Sequence, residues 1–254
     1  MLSVVLIGTG NVSTKLAQAF SSSEDLQLLG IYGKKERKSE VLSSGHEVLE
    51  IGEFDDQADI IVIAVKDDAI SSVQKELQSS KALVVHTAGS IPMDVLLPMK
   101  RRGVFYPLQT LSADRDVDFK SVPLCLESAS AEDRELLENL ARSISESIRW
   151  VDSSERKHLH LAAVFTNNFV NHMIRQAEKI CEEHDLPKEI LHPLLDETVN
   201  KAKILGAAKA QTGPAVRGDS SVIEKHLQLI ADKAQHELYK TISVSIQNEY
   251  ESQL

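Results

Sequence analysis

Through its first half the chain alternates short, β-branched apolar runs with amphipathic stretches, the pattern of βαβ units in a parallel sheet covered on both faces. Continuous apolar character predicts strands at 4–7, 28–32, 60–65, 83–86, 104–106 and 123–126. Helical periodicity separates several of them, notably over 12–20 and 69–77. Ser130, with Asp133 three residues on, reads as an N-cap opening a helix to about 147, and a last short strand follows at 148–151.

After Asp152 the strand pattern stops and the rest reads as helices joined by one polar, glycine-containing loop. A long helix is predicted over 155–183, ending before Asp185-Leu186-Pro187, and another over 187–208, with Pro193 interrupting its first turns. Ser221 and Glu224 form a capping box for a helix running towards Ile230, and a last helix covers 233–247. The change of pattern predicts two domains, a mostly parallel α/β sheet at 1–152 and an all-α domain at 153–254.

A length of 254 residues lets each of two domains bury its own core. An aromatic content of 4% argues against a base-stacking nucleic-acid module. A net charge of -10 repels phosphate backbones and anionic membranes, so neither nucleic acid nor membrane is an expected partner, and any anion must be captured locally. Cys125 and Cys181 stand alone, which indicates neither a disulfide framework nor a metal site. The first apolar run starts at Ser3, leaving no room for a signal peptide, and no stretch is long enough to span a bilayer; the expectation is a cytoplasmic protein.

The strongest local signal runs from Val4 through Ile7-Gly8-Thr9-Gly10-Asn11-Val12-Ser13, a buried strand entering a glycine turn and then a helix. Gly8 permits the turn, and Gly10 lets the backbone approach a pyrophosphate whose charge meets the N–H groups of the helix N-terminus. Ser13 takes the place of a third glycine. In this context the motif predicts a Rossmann-type, doubly wound domain with Gly8, Thr9, Gly10, Asn11 and Val12 at a dinucleotide.

The second strand ends Tyr32-Gly33-Lys34-Lys35-Glu36-Arg37-Lys38, with no acid to hold a ribose 2′-hydroxyl and several cations suited to a 2′-phosphate. The expectation is NADP(H) held by Tyr32, Gly33, Lys34, Lys35 and Arg37; the bland alternative is a solvated helix start. Because ligands of open parallel sheets lie beyond the carboxyl ends of the strands, Val65 and Lys66 are placed in the cofactor groove. Thr87 and Ser90, in His86-Thr87-Ala88-Gly89-Ser90, offer donors to a substrate anion or an amide, or else form an ordinary turn. His86 reads equally well as a hydrogen-bonded core histidine. Tyr106 and Gln109 end a further strand, where both are placed to face the cleft, with Tyr106 reading as packing rather than catalysis.

In the long helix His160, Val164, Asn167 and Asn171 recur at helical spacing beside Asn168, which makes either a polar stripe in want of a ligand or an exposed face. Further on, Thr212 and Arg217 lie in Thr212-Gly213-Pro214-Ala215-Val216-Arg217-Gly218-Asp219, where Arg217 can clamp an anion and Asp219 can cap the next helix.

Taken in order, IGTGNVS, DIIVIAVKDDAI, VVHTAGS, VFYPLQT, HLAAVFTNNF, LHPLLDET and TGPAVRGD cover nearly the whole chain. Together they resemble a bacterial family of the broad 6-phosphogluconate dehydrogenase-like and pyrroline-5-carboxylate reductase-like group. That family joins a Rossmann-like domain to a helical C-terminal domain of unknown function. The resemblance implies cofactor contacts at Gly8, Gly10, Asn11 and Val12, and cleft positions at His160, Asn167 or Asn168, Thr212 and Arg217. The wider group of β-hydroxyacid dehydrogenases carries a catalytic lysine one turn before an asparagine, where this chain has Ala163 or Val164. With that lysine missing, His160 is the candidate for proton transfer.

Two functions follow as expectations. The first is an NADP-dependent oxidoreductase acting on a small carbonyl, imine or hydroxyacid. His160, Asn167 and Asn168 would be its catalytic residues, with Thr87, Ser90, Thr212 and Arg217 on the substrate, and the protein would form a homodimer through its helical domain. The second is an NADP(H)-binding sensor or scaffold without turnover, which the missing lysine favours.

Overall fold

The computed structural model describes residues 1–42, 44–51 and 57–250, except for the side chain of Lys35. Strands β1 (Leu2–Ile7), β2 (Leu26–Gly33), β3 (Val48–Glu50), β4 (Ile60–Ile63), β5 (Leu83–His86), β6 (Arg102–Pro107), β7 (Leu124–Ser128) and β8 (Ile148–Trp150) form one sheet in the order β3-β2-β1-β4-β5-β6-β7-β8. Neighbouring strands are parallel, with β6 against β7 as the antiparallel pair. This is the doubly wound, Rossmann-type arrangement, and chain order reverses between β1 and β4, where the strand ends open a crevice.

All four residues of β4 and of β5 are buried, as are Val4–Ile7 of β1, which is why these strands read as unbroken apolar runs rather than alternations. One face of the sheet packs Leu6, Val62 and Phe105 against Leu16 and Phe20; the other packs Ile7, Ile61 and Ile63 against Ile70 and Leu96. Strand β3 has no counterpart in the apolar pattern: it is three residues long and lies at the sheet edge, too short for its alternation to register. Strand β4 stops short of 65, because after Ala64 donates to Ile7 O (2.7 Å) the backbone leaves the ladder at the glycine loop.

Helices α1 (Asn11–Ser21), α2 (Ile70–Glu76) and α3 (Ala131–Arg142) cover the sheet. Ser130 caps α3 as expected, accepting from the Asp133 N–H at 3.1 Å. The helix ends before 147 because Ser145 turns inward, its buried hydroxyl donating to Val122 O at 2.6 Å. Helix α4 (Ser153–Ala163) opens at a capping box formed by Asp152 and Glu155. It continues through a π-helical turn, Val164–Phe169, into α5 (Val170–Glu183), so the predicted long helix exists but is underwound at its centre.

The helix expected over 187–208 is divided into a 3₁₀ turn, Lys188–Leu191, followed by α6 (His192–Leu205) and α7 (Ala207–Ala210). Pro193 sits in the first turn of α6, where its missing N–H has no partner to lose, and Gly206, at φ +80°, ends the helix. Helix α8 (Ser220–Leu229) is capped by Asp219, as one of the two expectations had it, through the Val222 N–H; Ser221, the other expected cap, donates its hydroxyl to Asp219 instead. Helix α9 (Lys233–Tyr250) completes the described chain. Among the described residues no helix is long and apolar enough to cross a membrane.

The chain divides into two compact units, Met1–Asn168 and Phe169–Leu254. The first reaches well past the change of pattern at Asp152 because α4 is tied to the sheet. Arg156, fully buried, pairs with Glu127 and donates to Ile91 O (2.6 Å), while Ser153 donates to Glu127 and accepts from the Met93 N–H (2.9 Å).

Candidate active site

The glycine loop leaves β1 at the point where chain order reverses. Gly8 has φ +132°, its N–H donates to Tyr32 O (2.8 Å), and a Cβ there would lie 2.1 Å from Ala64 O, so only glycine fits. Ser13 is fully buried and its hydroxyl donates to Gly8 O (2.7 Å), so the serine that replaces a third glycine locks the turn from within the helix. Gly10 is different in kind. It is the N-cap of α1, no side chain caps that helix, its first turn holds no acid, and a Cβ on Gly10 would meet nothing within 4 Å. The N-terminus of α1 is therefore a bare cradle whose N–H groups and dipole favour an anion. Asn11 borders it and donates to Leu111 O (3.2 Å), while Val12 packs against the core.

The end of β2 lies against the same loop, since a Cβ on Gly33 would come within 3.0 Å of the Thr9 methyl. Arg37, on the 3₁₀ turn Lys35–Arg37, donates to Thr9 Oγ1 (2.5 Å) and pairs with Glu40. A guanidinium is thus held beside the cradle. Lys34 is exposed, Tyr32 is buried, and the side chain of Lys35 lies outside the described residues. On the opposite side of the crevice Val65 is half-buried and Lys66 exposed. Thr87 donates to Ile63 O (3.4 Å) and Ser90 to Asp67 (2.6 Å), so both hydroxyls tie the ends of β4 and β5 together. His86 is a core residue: it is fully buried, its Nδ1 accepts from the Ala88 N–H (3.2 Å), and burial pushes its pKa down to about 4.

A cleft of about 540 Å³ opens where β6 ends, lined by Tyr106, Gln109 and Thr110 on one side and by His160, Asn167 and Asn168 on the other. Tyr106 Oη lies 3.0 Å from His160 Nδ1, with the rings edge to face. Burial pushes the Tyr106 phenol up to about 12, so its hydroxyl keeps its proton. Gly89 makes this contact possible, because a Cβ there would lie 2.5 Å from His160 Nδ1 and 2.8 Å from Tyr106 Cζ. Arg156, one turn earlier on α4, anchors the helix that presents His160. The π turn adds a residue to the helical repeat, which explains how the adjacent Asn167 and Asn168 both reach the cleft where a regular stripe of i, i+4 positions offers one.

The structure thus groups Gly8, Thr9, Gly10, Asn11, Gly33 and Arg37 at one end of the crevice and His160, Asn167 and Asn168 in the cleft. Ala163 and Val164 line that cleft too, apolar where the wider group carries its lysine. Thr212 and Arg217 belong to the second unit, where both are exposed on the loop preceding Asp219. Tyr106 and Gln109 line the cleft as expected, and Tyr106, read as packing, is the hydrogen-bonding partner of His160. A separation of 54 residues gives no periodic signal for such a pair. Gly89 and Leu111 were likewise silent in the sequence.

A family model of a Rossmann-like domain matches residues 1–110, and the model of a domain of unknown function, DUF2520, matches residues 122–246. A crystal structure from Bacteroides fragilis, provisionally named an NADP oxidoreductase, is 39% identical, with 97% of this chain and 98% of that one covered at a TM-score of 0.89. A protein of Thermotoga maritima is 20% identical over 98% of this chain and 99% of that one, at a TM-score of 0.73. An imine reductase from Myxococcus stipitatus in complex with NADP+ is 17% identical over 98% of this chain and 93% of that one, at a TM-score of 0.66; at these lower identities the likeness is one of fold. Comparison with proteins of curated function gives no match.

Proposed function

The chain belongs to the family that joins a Rossmann-like domain to a DUF2520 domain, and on that premise we propose that it is an NADP(H)-dependent oxidoreductase acting on a small carbonyl, imine or hydroxyacid. The observation that carries this reading is the bare cradle at Gly10, set at the crevice of a doubly wound sheet where such folds take dinucleotides. The residues present fit the cofactor: open space at Gly10 for a pyrophosphate, and Arg37 with Lys34 beside it for a 2′-phosphate. When bound, the nicotinamide supplies or accepts a hydride. His160 holds the proton that the reacting oxygen or nitrogen gains or loses, while Asn167 and Asn168 orient that atom through their amides. Arg217 is proposed as the clamp for a substrate carboxylate.

We further assign the partner as a second copy of this chain, held through the helical unit. Among its described residues Ile204 is 80%, Leu229 77%, Ile190 70% and Leu194 64% exposed, whereas its buried apolar side chains are Cys181, Ala215 and Tyr250. Isolated helices with this much apolar surface are covered in solution by pairing. Cys125 and Cys181, buried and unbridged, fit a reducing, cytoplasmic setting.

The test is the loss of NADPH absorbance against panels of 2-oxoacids, 3-oxoacids and cyclic imines. Turnover with one class, abolished in His160→Ala, is the expected result. Tight NADPH binding with no turnover across the panel would instead support binding without catalysis, the reading favoured by Ala163 and Val164 in the cleft.

A further inference from the structure

We propose that Thr9 is a specificity-determining residue of the cofactor crevice: its hydroxyl holds the Arg37 guanidinium at the rim of the glycine loop, and so sets how strongly the chain prefers a dinucleotide bearing a 2′-phosphate. This rests on the reading of the crevice as an NADP(H) site, and within that reading it assigns the preference to a pair of residues rather than to a cation alone. The direction of the contact is fixed by chemistry. Arg37 Nη1 lies 2.5 Å from Thr9 Oγ1, and a guanidinium carries N–H donors and no acceptor, so the threonine oxygen accepts. In a doubly wound fold the end of the second strand faces the ribose, and an arginine there takes the 2′-phosphate.

Arg37 has a second tether, Glu40, which accepts from its Nε. The two side chains are 45% and 49% exposed, and an ion pair so open to solvent contributes little; it also ties Arg37 only to its own turn. Thr9 ties it instead to the loop leaving β1, 28 residues earlier in the chain. An arginine free in solvent gives up rotamer freedom when it meets a phosphate, whereas one already held gives up less, so more of the contact reaches the affinity. Threonine suits this role because its methyl and its hydroxyl face different neighbours. The methyl lies against the end of β2, where a Cβ on Gly33 would come within 3.0 Å of it, while the hydroxyl meets Arg37. Branching at Cβ links the two, so seating the methyl aims the oxygen. Valine keeps this shape without the acceptor, and serine keeps the acceptor without the methyl.

The experiment is calorimetric titration of NADPH and of NADH into the full-length protein, read as the ratio of the two affinities, so that damage common to both cofactors cancels. Wild type is expected to favour NADPH. Thr9→Val is expected to lower the ratio about fivefold, most of the about tenfold lost in Arg37→Ala, while Thr9→Ser stays within about twofold of wild type. Thr9→Ala, which removes the acceptor without adding bulk, is expected to match Thr9→Val and keeps the test open should the valine variant fold poorly. Combined with Arg37→Ala, Thr9→Val is expected to lower the ratio no further, because the threonine acts through the arginine. An unchanged ratio in Thr9→Val or Thr9→Ala, a Thr9→Ser variant as impaired as these, or losses that add in the double variant would overturn the proposal and leave the NADP(H) reading standing. Equal affinities for the two cofactors in wild type would remove that reading, and the proposal with it.

Discussion

In the sheet unit Val4, Leu6, Ile60, Val62, Leu83 and Phe105 are shut away from solvent, while in the helical unit Ile190, Leu194, Ile204 and Leu229 stand largely exposed. One unit completes its core from its own residues; the other leaves these apolar side chains uncovered by its own residues. The difference separates two kinds of constraint. In the sheet unit, positions are fixed by what already fills the space, as at Gly8 and Gly89. In the helical unit the same kinds of side chain stand exposed. The first kind of constraint makes chemistry possible at a defined place, and the second is what the proposed pairing with a second copy would act on.

The sharpest way to break this comparison is at Gly8. Gly8→Ala places a methyl carbon on Ala64 O at a positive φ, combining steric overlap with backbone strain. The expected loss is on the order of 4 kcal/mol, or roughly 8–16 °C in Tm. A melting curve unchanged within a few degrees would show that the turn has room.

Next in size is the acid response of the sheet core. Unfolded, a histidine titrates near 6.5; folded, His86 is held at about 4 because burial disfavours its charge. Its contribution is fully present above pH 6.5 and is lost as pH falls towards 4, a span of about 2.5 units worth on the order of 3 kcal/mol. Denaturant midpoints at pH 7 and pH 4.5 should differ accordingly in wild type, and differ less in His86→Leu.

For the helical unit, Ile190→Asp with Leu194→Asp puts two charges on side chains that are already exposed. A core position would not survive that exchange. Here the helical content should persist while dimer affinity falls about a hundredfold, about 2.7 kcal/mol. Light scattering at micromolar concentration would show a dimer in wild type and a monomer in the variant. The smallest effect concerns the rim of the cofactor crevice: Arg37→Ala should cost NADPH about tenfold in affinity, about 1.4 kcal/mol, and leave NADH nearly untouched.

What was legible in the sequence follows the same division. Strands β1, β4 and β5 could be read because burial on both faces forces unbroken apolar runs, and the glycine loop because its backbone tolerates so few residues. Strand β3 escaped, being short and at an edge, and so did the capping role of Asp152, which the end of the preceding strand obscured. Half of the cleft was visible: His160 and the two asparagines share a helix, and periodicity works within one element. Tyr106 and Gly89 come from other strands' ends, and only the fold sets them against that helix. The π turn was hidden too, since it changes the repeat without altering residue types.

The dinucleotide reading turns on the cradle at Gly10, where an added Cβ would meet open space. Calorimetric titration of NADPH into wild type and into Gly10→Val tests it directly. Both proteins should melt within a few degrees of each other, because a Cβ at this position meets no protein atom within 4 Å; wild type should bind NADPH, and the variant should lose at least about a hundredfold in affinity, because its side chain takes the place of the pyrophosphate. Undiminished NADPH affinity in a folded Gly10→Val protein would contradict the assignment of this loop, and with it the function built upon it.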